Sequence, residues 1–297
     1  MEVLFDYLRM LFYMDLIRFN KALHDLRRYM SEVDRLITVV GQLECAVAVG
    51  SFRKSLGENW CEPKLCEEAG KDLFLRAEEL YHPLLQNAVP NDLYAKRGVL
   101  LTGSNASGKS TFLRAVAVNA LLAQTVHTCA AAKYEAPFYR IYSSMSLRDD
   151  LTGGDSYYMV EIKSIKRILD QARQKEGSPV LCFVDEVLRG TNTVERIAAS
   201  SRILQSLTGE KVLCFAATHD IELTHLLEDS YENYHFEETI EDGDISFNYL
   251  LKKGRAQSRN AIRLLEVMGY DEQVIREAEA LAERFLETGE WTWRRRI

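Results

Sequence analysis

The sequence predicts an α/β fold in which helices flank a mostly parallel central sheet, with a helical segment before it and another after it. Three runs are almost entirely apolar, as strands covered on both faces are: Val99–Thr102, Val180–Val184 and Val212–Ala216. Apolar residues at helical spacing separate the runs, and a parallel sheet needs such crossover helices between its strands. A glycine-rich loop follows the first run and leads directly into a helix predicted at 109–125.

The composition is that of an ordinary globular protein with an acidic balance. Hydrophobic residues make up 47% of the 297 residues and charged residues 27%, and the formal net charge is −7. A chain of this charge has no overall attraction to nucleic acid. A contact with DNA would therefore need a local patch or another domain.

The cysteines and the N-terminus both favour a cytoplasmic protein. None of the six cysteines forms a C-x-x-C pair, and Cys182 and Cys214 lie in apolar runs, which is typical of reduced, buried thiols. Asp6, Arg9 and Asp15 interrupt the apolar N-terminus, so it resembles neither a signal peptide nor an uncharged membrane span. We therefore expect no membrane partner.

Residues 1 to about 56 are predicted to form two or three long helices. They contain no proline and only two glycines, and their apolar residues recur at helical spacing. The first helix is apolar around most of its circumference, which indicates burial against another element or another chain. Packing in the core of this chain is the favoured alternative, and a partner-binding face is the other.

Residues 57–98 differ from the helices before them because glycines and prolines punctuate short segments. They are predicted to connect the helices to the sheet, with an edge strand near 73–75. After the three apolar runs, residues 234–240 and 245–251 are predicted to form a hairpin.

The chain is predicted to close with two helices, at 258–268 and 271–287, separated by Gly269. Three regions follow from this order of elements. They are the helical segment 1–75, the α/β domain 76–256 and the C-terminal helical segment 257–297.

The glycine-rich loop fits the pattern G-x-x-x-x-G-K-[ST], which binds phosphate groups. Its residues are Gly103, Ser104, Asn105, Ala106, Ser107, Gly108, Lys109, Ser110 and Thr111. The loop amides and the N-terminus of the next helix would converge on an anion, with Lys109 reaching the β- and γ-phosphates of a nucleotide. The Ser110 hydroxyl would bind magnesium. A surface turn that fits the pattern by chance is the alternative, which the flanking strand and helix disfavour.

Two further strand ends carry polar side chains. The run Val180–Val184 ends in Asp185 and Glu186, whose side chains leave opposite faces of the strand. We therefore assign them different tasks: Asp185 supports the magnesium ion, and Glu186 orients and deprotonates a water molecule. His219 follows the third run, at an edge where open α/β sheets bind ligands, and would sense the γ-phosphate or hold the water. A solvated acidic strand end and a structural histidine are the alternatives.

Several motifs, in order along the chain, resemble the ATPase core of the MutS family of DNA mismatch repair proteins, within the larger group of ABC-type ATPases. The resemblance runs from about Leu36 to Phe285. Its motifs are TGSNASGKST for the phosphate loop, DDLTGGDSYYMVE for the signature loop, VDEVLRGTNT for the acidic strand end and ATHDIEL for the histidine switch. YHPL and VPND resemble the segments before the loop, and GYDEQVIREAEAL resembles the C-terminal dimerisation helices.

The resemblance implies an ATP- and magnesium-dependent ATPase in DNA mismatch repair or a related DNA transaction, with Glu186 and His219 as catalytic residues. It also implies a head-to-tail homodimer, joined through the ATPase domains and the C-terminal helices, in which each subunit completes the other's site. Ser156 would then contact the γ-phosphate in trans, and Asn91 would lie near the adenine. DNA is implied as a partner of the full-length protein, although no basic and aromatic face in this sequence indicates it.

Four residues depart from the family's pattern. Leu188 replaces a glycine, Glu195 and Arg196 replace an Asp-Gly pair, and Tyr157 replaces a threonine. The resemblance places them along the subunit interface, so communication between sites is expected to differ from that in typical members. The stretch before Gly103 is too short for the family's mismatch-reading domains, so we expect either a fragment of a longer chain or a divergent branch. The alternative function is a nucleotide-gated module that binds a protein or a membrane without recognising mismatches.

Overall fold

The computed structural model describes residues 2–66, 73–104, 107–145, 157–174, 176–241, 244–256 and 261–291. The chain divides into two compact units, Met1–Gly57 and Glu58–Ile297. This division reflects compactness alone and does not test the three regions predicted from the sequence. Those regions remain predictions.

Three helices make up the described part of the first unit: α1 at Glu2–Leu11, α2 at Met14–Arg28 and α3 at Met30–Ser55. They lie where helical spacing predicted two or three long helices. The chain leaves the helical conformation between α1 and α2 at Tyr13, whose φ of 48° is left-handed. It leaves that conformation again at Tyr29, between α2 and α3.

The apolar side chains of these helices are exposed. Neither α2 nor α3 contains a buried residue. Met10 and Phe12 are 79% and 60% exposed, and Leu36 and Leu43 are 64% and 63% exposed. The favoured expectation, that the first apolar helix packs in the core of its own chain, is therefore wrong for the described residues of α1 and α2. The sequence pattern could not separate the alternatives, because an apolar stripe has the same spacing whether the chain or a partner covers it.

α3 is long and apolar enough, by length and composition alone, to cross a membrane. Its most apolar window of 18 residues has a mean hydropathy of 1.3. Glu44 lies in the interior of the helix, and a carboxylate is costly at the centre of a bilayer. Core helices of soluble proteins and signal sequences meet the same criterion, which therefore does not distinguish α3 from them.

The second unit is built from strands and helices that alternate along much of the chain. Its described strands are β1 Lys64–Cys66, β2 Leu75–Leu80, β3 Asn91–Ala95, β4 Gly98–Thr102, β5 Lys133–Pro137, β6 Arg140–Ser144, β7 Val180–Asp185, β8 Val212–Ala217, β9 Tyr231–His235, β10 Glu238–Glu241, β11 Asp244–Phe247 and β12 Lys252–Lys253. Its described helices are α4 Lys109–Thr125, α5 Tyr157–Ala172, α6 Thr193–Ser206, α7 Glu222–Leu226, α8 Ala261–Val267 and α9 Glu272–Thr288. β4, β7 and β8 lie where the three apolar runs predicted strands, and α4 has the predicted bounds.

The main sheet has the strand order β12-β9-β4-β8-β7-β6 in the part of the chain that the structure describes. β4 runs parallel to both β9 and β8, and β7 runs parallel to both β8 and β6. β12 is antiparallel to β9 at the edge. β4 therefore lies inside the sheet, and its carboxyl end is flanked by the corresponding ends of two neighbours.

A second sheet and a short hairpin complete the described strands. The second sheet has the order β1-β5-β2-β3 with mixed pairing. The sequence predicted only an edge strand near 73–75, because these strands are short and mix polar with buried residues. The hairpin is shorter than predicted: β10 pairs with β11, whereas β9 joins the main sheet beside β4.

Apolar side chains pack on both faces of the main sheet. Leu101 and Phe215 belong to one cluster, which also contains Leu113 of α4. Leu100 and Cys214 belong to the opposite cluster, which includes side chains of α5 and α6. Burial on both faces is why these strands are apolar at nearly every position. The six cysteines are free in the structure.

The C-terminal helices α8 and α9 lie where they were predicted. Asp271 caps α9, with its Oδ1 accepting the Gln273 N–H at 2.7 Å. Gly289 ends the helix in a left-handed conformation with φ of 73°. Short local signals therefore set both ends of α9.

Candidate nucleotide site

Three neighbouring parallel strands end at one edge of the main sheet. In the ladders, Asp185 of β7 lies opposite Ala217 of β8, and Ala217 lies opposite Leu101 of β4. Thr218 leaves β8 with its N–H donated to the Leu101 oxygen at 3.0 Å. The glycine-rich loop, the acidic pair and His219 therefore leave the sheet side by side, at the edge where parallel α/β sheets bind ligands.

The glycine-rich loop has two positions that require glycine. Gly103 and Gly108 have φ angles of 139° and 107°, in the region that disfavours side chains. A Cβ atom on Gly103 would lie 2.8 Å from the Phe236 carbonyl oxygen. Gly108 is the N-cap residue of α4, so the loop leads straight into a helix N-terminus. Asn105 and Ala106, the predicted middle of the loop, lie outside the described residues.

Lys109 is buried in the first turn of α4 and folds back onto the loop. Its Nζ donates to the Gly103 oxygen at 2.7 Å and to the Ser104 oxygen at 2.6 Å. Burial lowers the pKa of Lys109 to about 8, although the carboxylates of Glu186 and Asp185 oppose the change. The lysine is therefore held where loop carbonyls and acidic strand ends converge.

The hydroxyl groups around the loop differ in their hydrogen bonding. Ser107 Oγ is buried and has no hydrogen-bond partner among the described residues. Ser104 Oγ donates to the Glu238 carboxylate. Ser110 and Thr111 lie in the first turn of α4 and line the adjoining cavity. Because a buried hydroxyl without a partner is costly, Ser107 fits a loop that receives a polar ligand.

Glu186 connects two basic side chains beside the loop. Its Oε1 lies 2.6 Å from His219 Nε2, and its Oε2 lies 3.0 Å from Arg189 Nε. The hydrogen bond from His219 holds the pKa of Glu186 below its usual range, although burial acts in the opposite direction. The Glu186 N–H donates to the Ala217 oxygen at 3.0 Å, which fixes the backbone in a left-handed turn with φ of 56°. An ionised carboxylate held in this way can accept a proton from water.

The turn after Glu186 is held by Glu161 of α5. Leu188 has a φ of 57°, at a position where the resemblance predicts glycine, and its side chain is buried. The Leu188 N–H donates to Glu161 Oε1 at 2.5 Å. Burial raises the pKa of Glu161, whose other oxygen has no partner among the described residues. The left-handed leucine costs roughly 1–2 kcal/mol, which its burial and this hydrogen bond offset.

A cavity of about 420 Å³ opens beside the loop, a size typical of small-molecule sites. Its walls include Ser104, Ser107, Gly108, Lys109, Ser110, Thr111, Glu186, His219, Asn91, Tyr81, His82, Val89 and Tyr249. The structure thus brings together most of the site residues predicted from the sequence. Asp185 lies at the same strand end but is not among the described lining residues. Ser156, predicted to act in trans, lies outside the described residues.

Asn91 lines the cavity, but its side chain is hydrogen-bonded to backbone groups. Its Nδ2 donates to the Tyr249 oxygen at 3.0 Å and to the Val89 oxygen at 3.2 Å. Its Oδ1 accepts the Leu251 N–H at 2.6 Å. Asn91 therefore joins β3 to the segment at 249–251, and its placement near an adenine remains a prediction.

Tyr249 is a lining residue that the sequence did not predict. A Cβ atom on Gly108 would lie 3.2 Å from Tyr249 Cδ1, so the ring lies against the start of α4. The ring also stacks on Phe247, with centroids 5.9 Å apart. Aromatic residues after a hairpin strand are common, and only the fold brings this one to the loop. No local sequence signal distinguishes it.

We expect Asn91→Ala to lower the free energy of unfolding by about 1–3 kcal/mol, because the Leu251 N–H and the Tyr249 carbonyl lose a partner. Denaturant-induced unfolding measures this loss. Asn248→Ala is the control, since Asn248 is exposed and its Oδ1 accepts only the nearby Leu250 N–H among the contacts described, at 3.0 Å. Equal losses in the two variants would contradict a supporting role for Asn91.

The fold and the site define an α/β domain with a phosphate-loop motif between a central parallel strand and a buried helix. The family model described as MutS domain V matches residues 99–286, which is more than half of the chain. The chain belongs to the MutS family.

Curated relatives agree with this assignment. The proteins named "DNA mismatch repair protein MutS" of Thermus thermophilus and Thermus aquaticus are each 32% identical over 266 residues, which is 88% of this chain and 30% of theirs. The protein of the same name from Aquifex pyrophilus is 32% identical over 285 residues, which is 89% of this chain and 32% of its own. The chain thus spans about 30% of the length of the first of these relatives.

Proposed function

We propose that this chain binds ATP with Mg²⁺ and hydrolyses it to ADP and phosphate. The observation that carries the proposal is the contact between Glu186 Oε1 and His219 Nε2, 2.6 Å apart, on the wall of the cavity that Lys109 also lines. A phosphate loop alone supports binding. An ionised carboxylate paired with an imidazole beside that loop adds a base for the attacking water.

The loop would hold the triphosphate through its backbone amides, with Lys109 turning from the loop carbonyls toward the β- and γ-phosphates. Ser110 and Asp185 would hold Mg²⁺, since hydroxyl and carboxylate oxygens are its preferred ligands. The ion supplies positive charge that offsets the negative charge of the phosphate oxygens. Two observations support this fit: the Ser107 hydroxyl has no hydrogen-bond partner among the residues that the structure describes, and a Cβ atom on Gly103 would collide with the Phe236 backbone.

Glu186 would accept a proton from the water that attacks the γ-phosphate. Its lowered pKa keeps it ionised at neutral pH, which a base requires. His219 donates to the same carboxylate and would fix its orientation. Arg189, whose side chain is 66% exposed, would have to share or release Oε2 for water to bind there.

For the whole protein we propose a role in DNA mismatch repair or a related DNA transaction, since the relatives carry that name. Two copies would form a head-to-tail homodimer through the ATPase domains and the helices α8 and α9. Ser156 of each copy would contact the γ-phosphate bound by the other. DNA would be a partner of the full-length protein, and the protein would be cytoplasmic.

Sites shared between two copies can be tested by mixing two inactive variants, Lys109→Ala and Ser156→Ala. In a mixed dimer one site carries both defects, whereas the other combines an intact Lys109 with an intact Ser156. We expect about one quarter of the unmodified turnover in an equal mixture, because half of the dimers are mixed and each has one intact site. No recovery, with mixed dimers shown to form by a tag on one variant, would contradict the sharing.

A nucleotide-gated interaction module is the second candidate function. The exposed apolar residues of α2 and α3 favour it, because such faces mark contacts with a partner. ATP binding without measurable turnover would support this candidate, and turnover at an appreciable rate would support the first.

A further inference from the structure

Arg196, in the first turns of α6, binds the residue that follows His219. Its Nε lies 2.9 Å from Asp220 Oδ2, and its Nη2 lies 2.6 Å from Asp220 Oδ1. Two such parallel hydrogen bonds fix both the distance and the orientation of the partners. The side chains are only 24% and 12% exposed, so solvent screens the pair less than it screens a surface ion pair.

Both ends of this ion pair are anchored to regular structure. The Arg196 N–H donates to the Asn192 oxygen at 2.8 Å, and the Asn192 side chain caps α6. The Asp220 N–H donates to Thr218 Oγ1 at 3.0 Å. Since Thr218 is itself bonded to β4, the turn that carries His219 is held between the main sheet and the start of α6.

We propose that Arg196 is a positioning residue that, by holding Asp220, fixes His219 against Glu186. The proposal rests on the proposed ATPase function and concerns how the side chains of the same site are positioned. Arg196 is not among the described residues that line the cavity, so it acts through Asp220 and not on the nucleotide. The contact it controls is the one between His219 Nε2 and Glu186 Oε1, at 2.6 Å.

The Arg196–Asp220 ion pair is needed to hold His219 because His219 is only partly enclosed. Its side chain is 36% exposed, and a surface imidazole has several rotamers available unless its surroundings restrict them. Groups that take part in proton transfer have to be held to within a fraction of an ångström. The family resemblance predicts glycine at position 196, and glycine has no side chain that could reach Asp220.

Steady-state ATP turnover of Arg196→Ala tests the proposal, with Arg202→Ala as the matched control. Arg202 lies on the same helix, and its side chain donates to Gln205 at 2.7 Å. We expect Arg196→Ala to lower kcat about 10- to 100-fold with little change in KM, because the base is misplaced while the loop is intact. Arg202→Ala should match the unmodified protein. Equal kcat values for the two variants would overturn the proposal.

Three further variants separate positioning from a general loss of structure. Asp220→Asn should lower kcat as Arg196→Ala does, and the double variant should be no slower than the slower single variant, since both remove one contact. Arg196→Lys keeps the positive charge but lacks the two guanidinium N–H groups that bind Asp220 together. It should therefore recover only part of the kcat that Arg196→Ala loses. If Arg196→Ala does not melt cooperatively, Asp220→Asn carries the same test. Additive losses in the double variant would contradict the shared contact.

The imidazole resonances of His219 provide a readout that needs no turnover. In nucleotide-free protein with labelled histidine, they should shift and broaden in Arg196→Ala and stay in place in Arg202→Ala. Unchanged resonances in Arg196→Ala would overturn the proposal. Absence of hydrolysis by the unmodified protein would overturn the proposed function instead, and the spectra would still decide whether Arg196 holds His219.

Discussion

Glu186→Gln is expected to abolish steady-state ATP turnover while leaving ATP binding intact. Glutamine keeps the shape of the side chain and an oxygen that can accept the His219 Nε2–H, 2.6 Å away in the unmodified protein. It cannot take up a proton, so the attacking water loses a base that typically contributes about 10²–10⁴-fold to the rate. ATP affinity should change by less than about threefold, because the loop and Lys109 are untouched.

The measurements are phosphate release for turnover and equilibrium titration for ATP binding. Glu228→Gln is the matched control, because Glu228 is an exposed carboxylate that pairs with Arg255 outside the described cavity lining. Turnover in Glu186→Gln equal to that of the control would remove Glu186 as the base. Loss of ATP binding would show that the substitution damages the site itself.

Lys109→Ala should weaken ATP binding about 10- to 100-fold. A hydrogen bond to a charged group contributes about 1.5–3 kcal/mol, and every 1.4 kcal/mol is about tenfold in affinity. Lys109 also stabilises the loop through its hydrogen bonds to the Gly103 and Ser104 oxygens, so its removal should make the phosphate loop less rigid. Lys166→Ala is the control, since Lys166 pairs with Asp170 on the exposed face of α5 at 3.0 Å.

The lowered pKa of Lys109 gives this prediction a pH dependence. Burial lowers that pKa to about 8, so the amine is largely neutral in the free protein above pH 8. Bound phosphates favour the ammonium, so binding above pH 8 takes up a proton and the affinity should fall by up to about tenfold per pH unit. Below the pKa the proton is already present and this dependence disappears. The same slope in Lys109→Ala would show that another group causes it.

The parts of the site that the sequence predicted depend on residues that are close together in the chain. The strand, the loop and the helix at 98–125 are continuous, so fixed spacing determines their geometry. Glu186 follows the apolar strand β7 directly, and His219 follows the apolar strand β8 after one residue. Parallel pairing of β4, β8 and β7 then brings all three strand ends to one edge.

The parts that the sequence missed depend on contacts between distant segments. Asn91 bonds to the backbone at 249–251, and Arg196 bonds to Asp220, in each case across two different elements. No periodic pattern encodes such pairs, because each side chain is an ordinary polar residue within its own segment. The apolar face of the first predicted helix was misassigned for a related reason, since spacing shows that a face is apolar but not what covers it.

Magnesium-dependent phosphate release by the unmodified chain, measured beside a Glu186→Gln preparation made in the same way, tests ATP hydrolysis at this site most directly. We predict release that requires both ATP and Mg²⁺ and exceeds that of the variant by at least about 100-fold. Release equal to that of the variant, in protein shown to bind ATP, would contradict hydrolysis at Glu186.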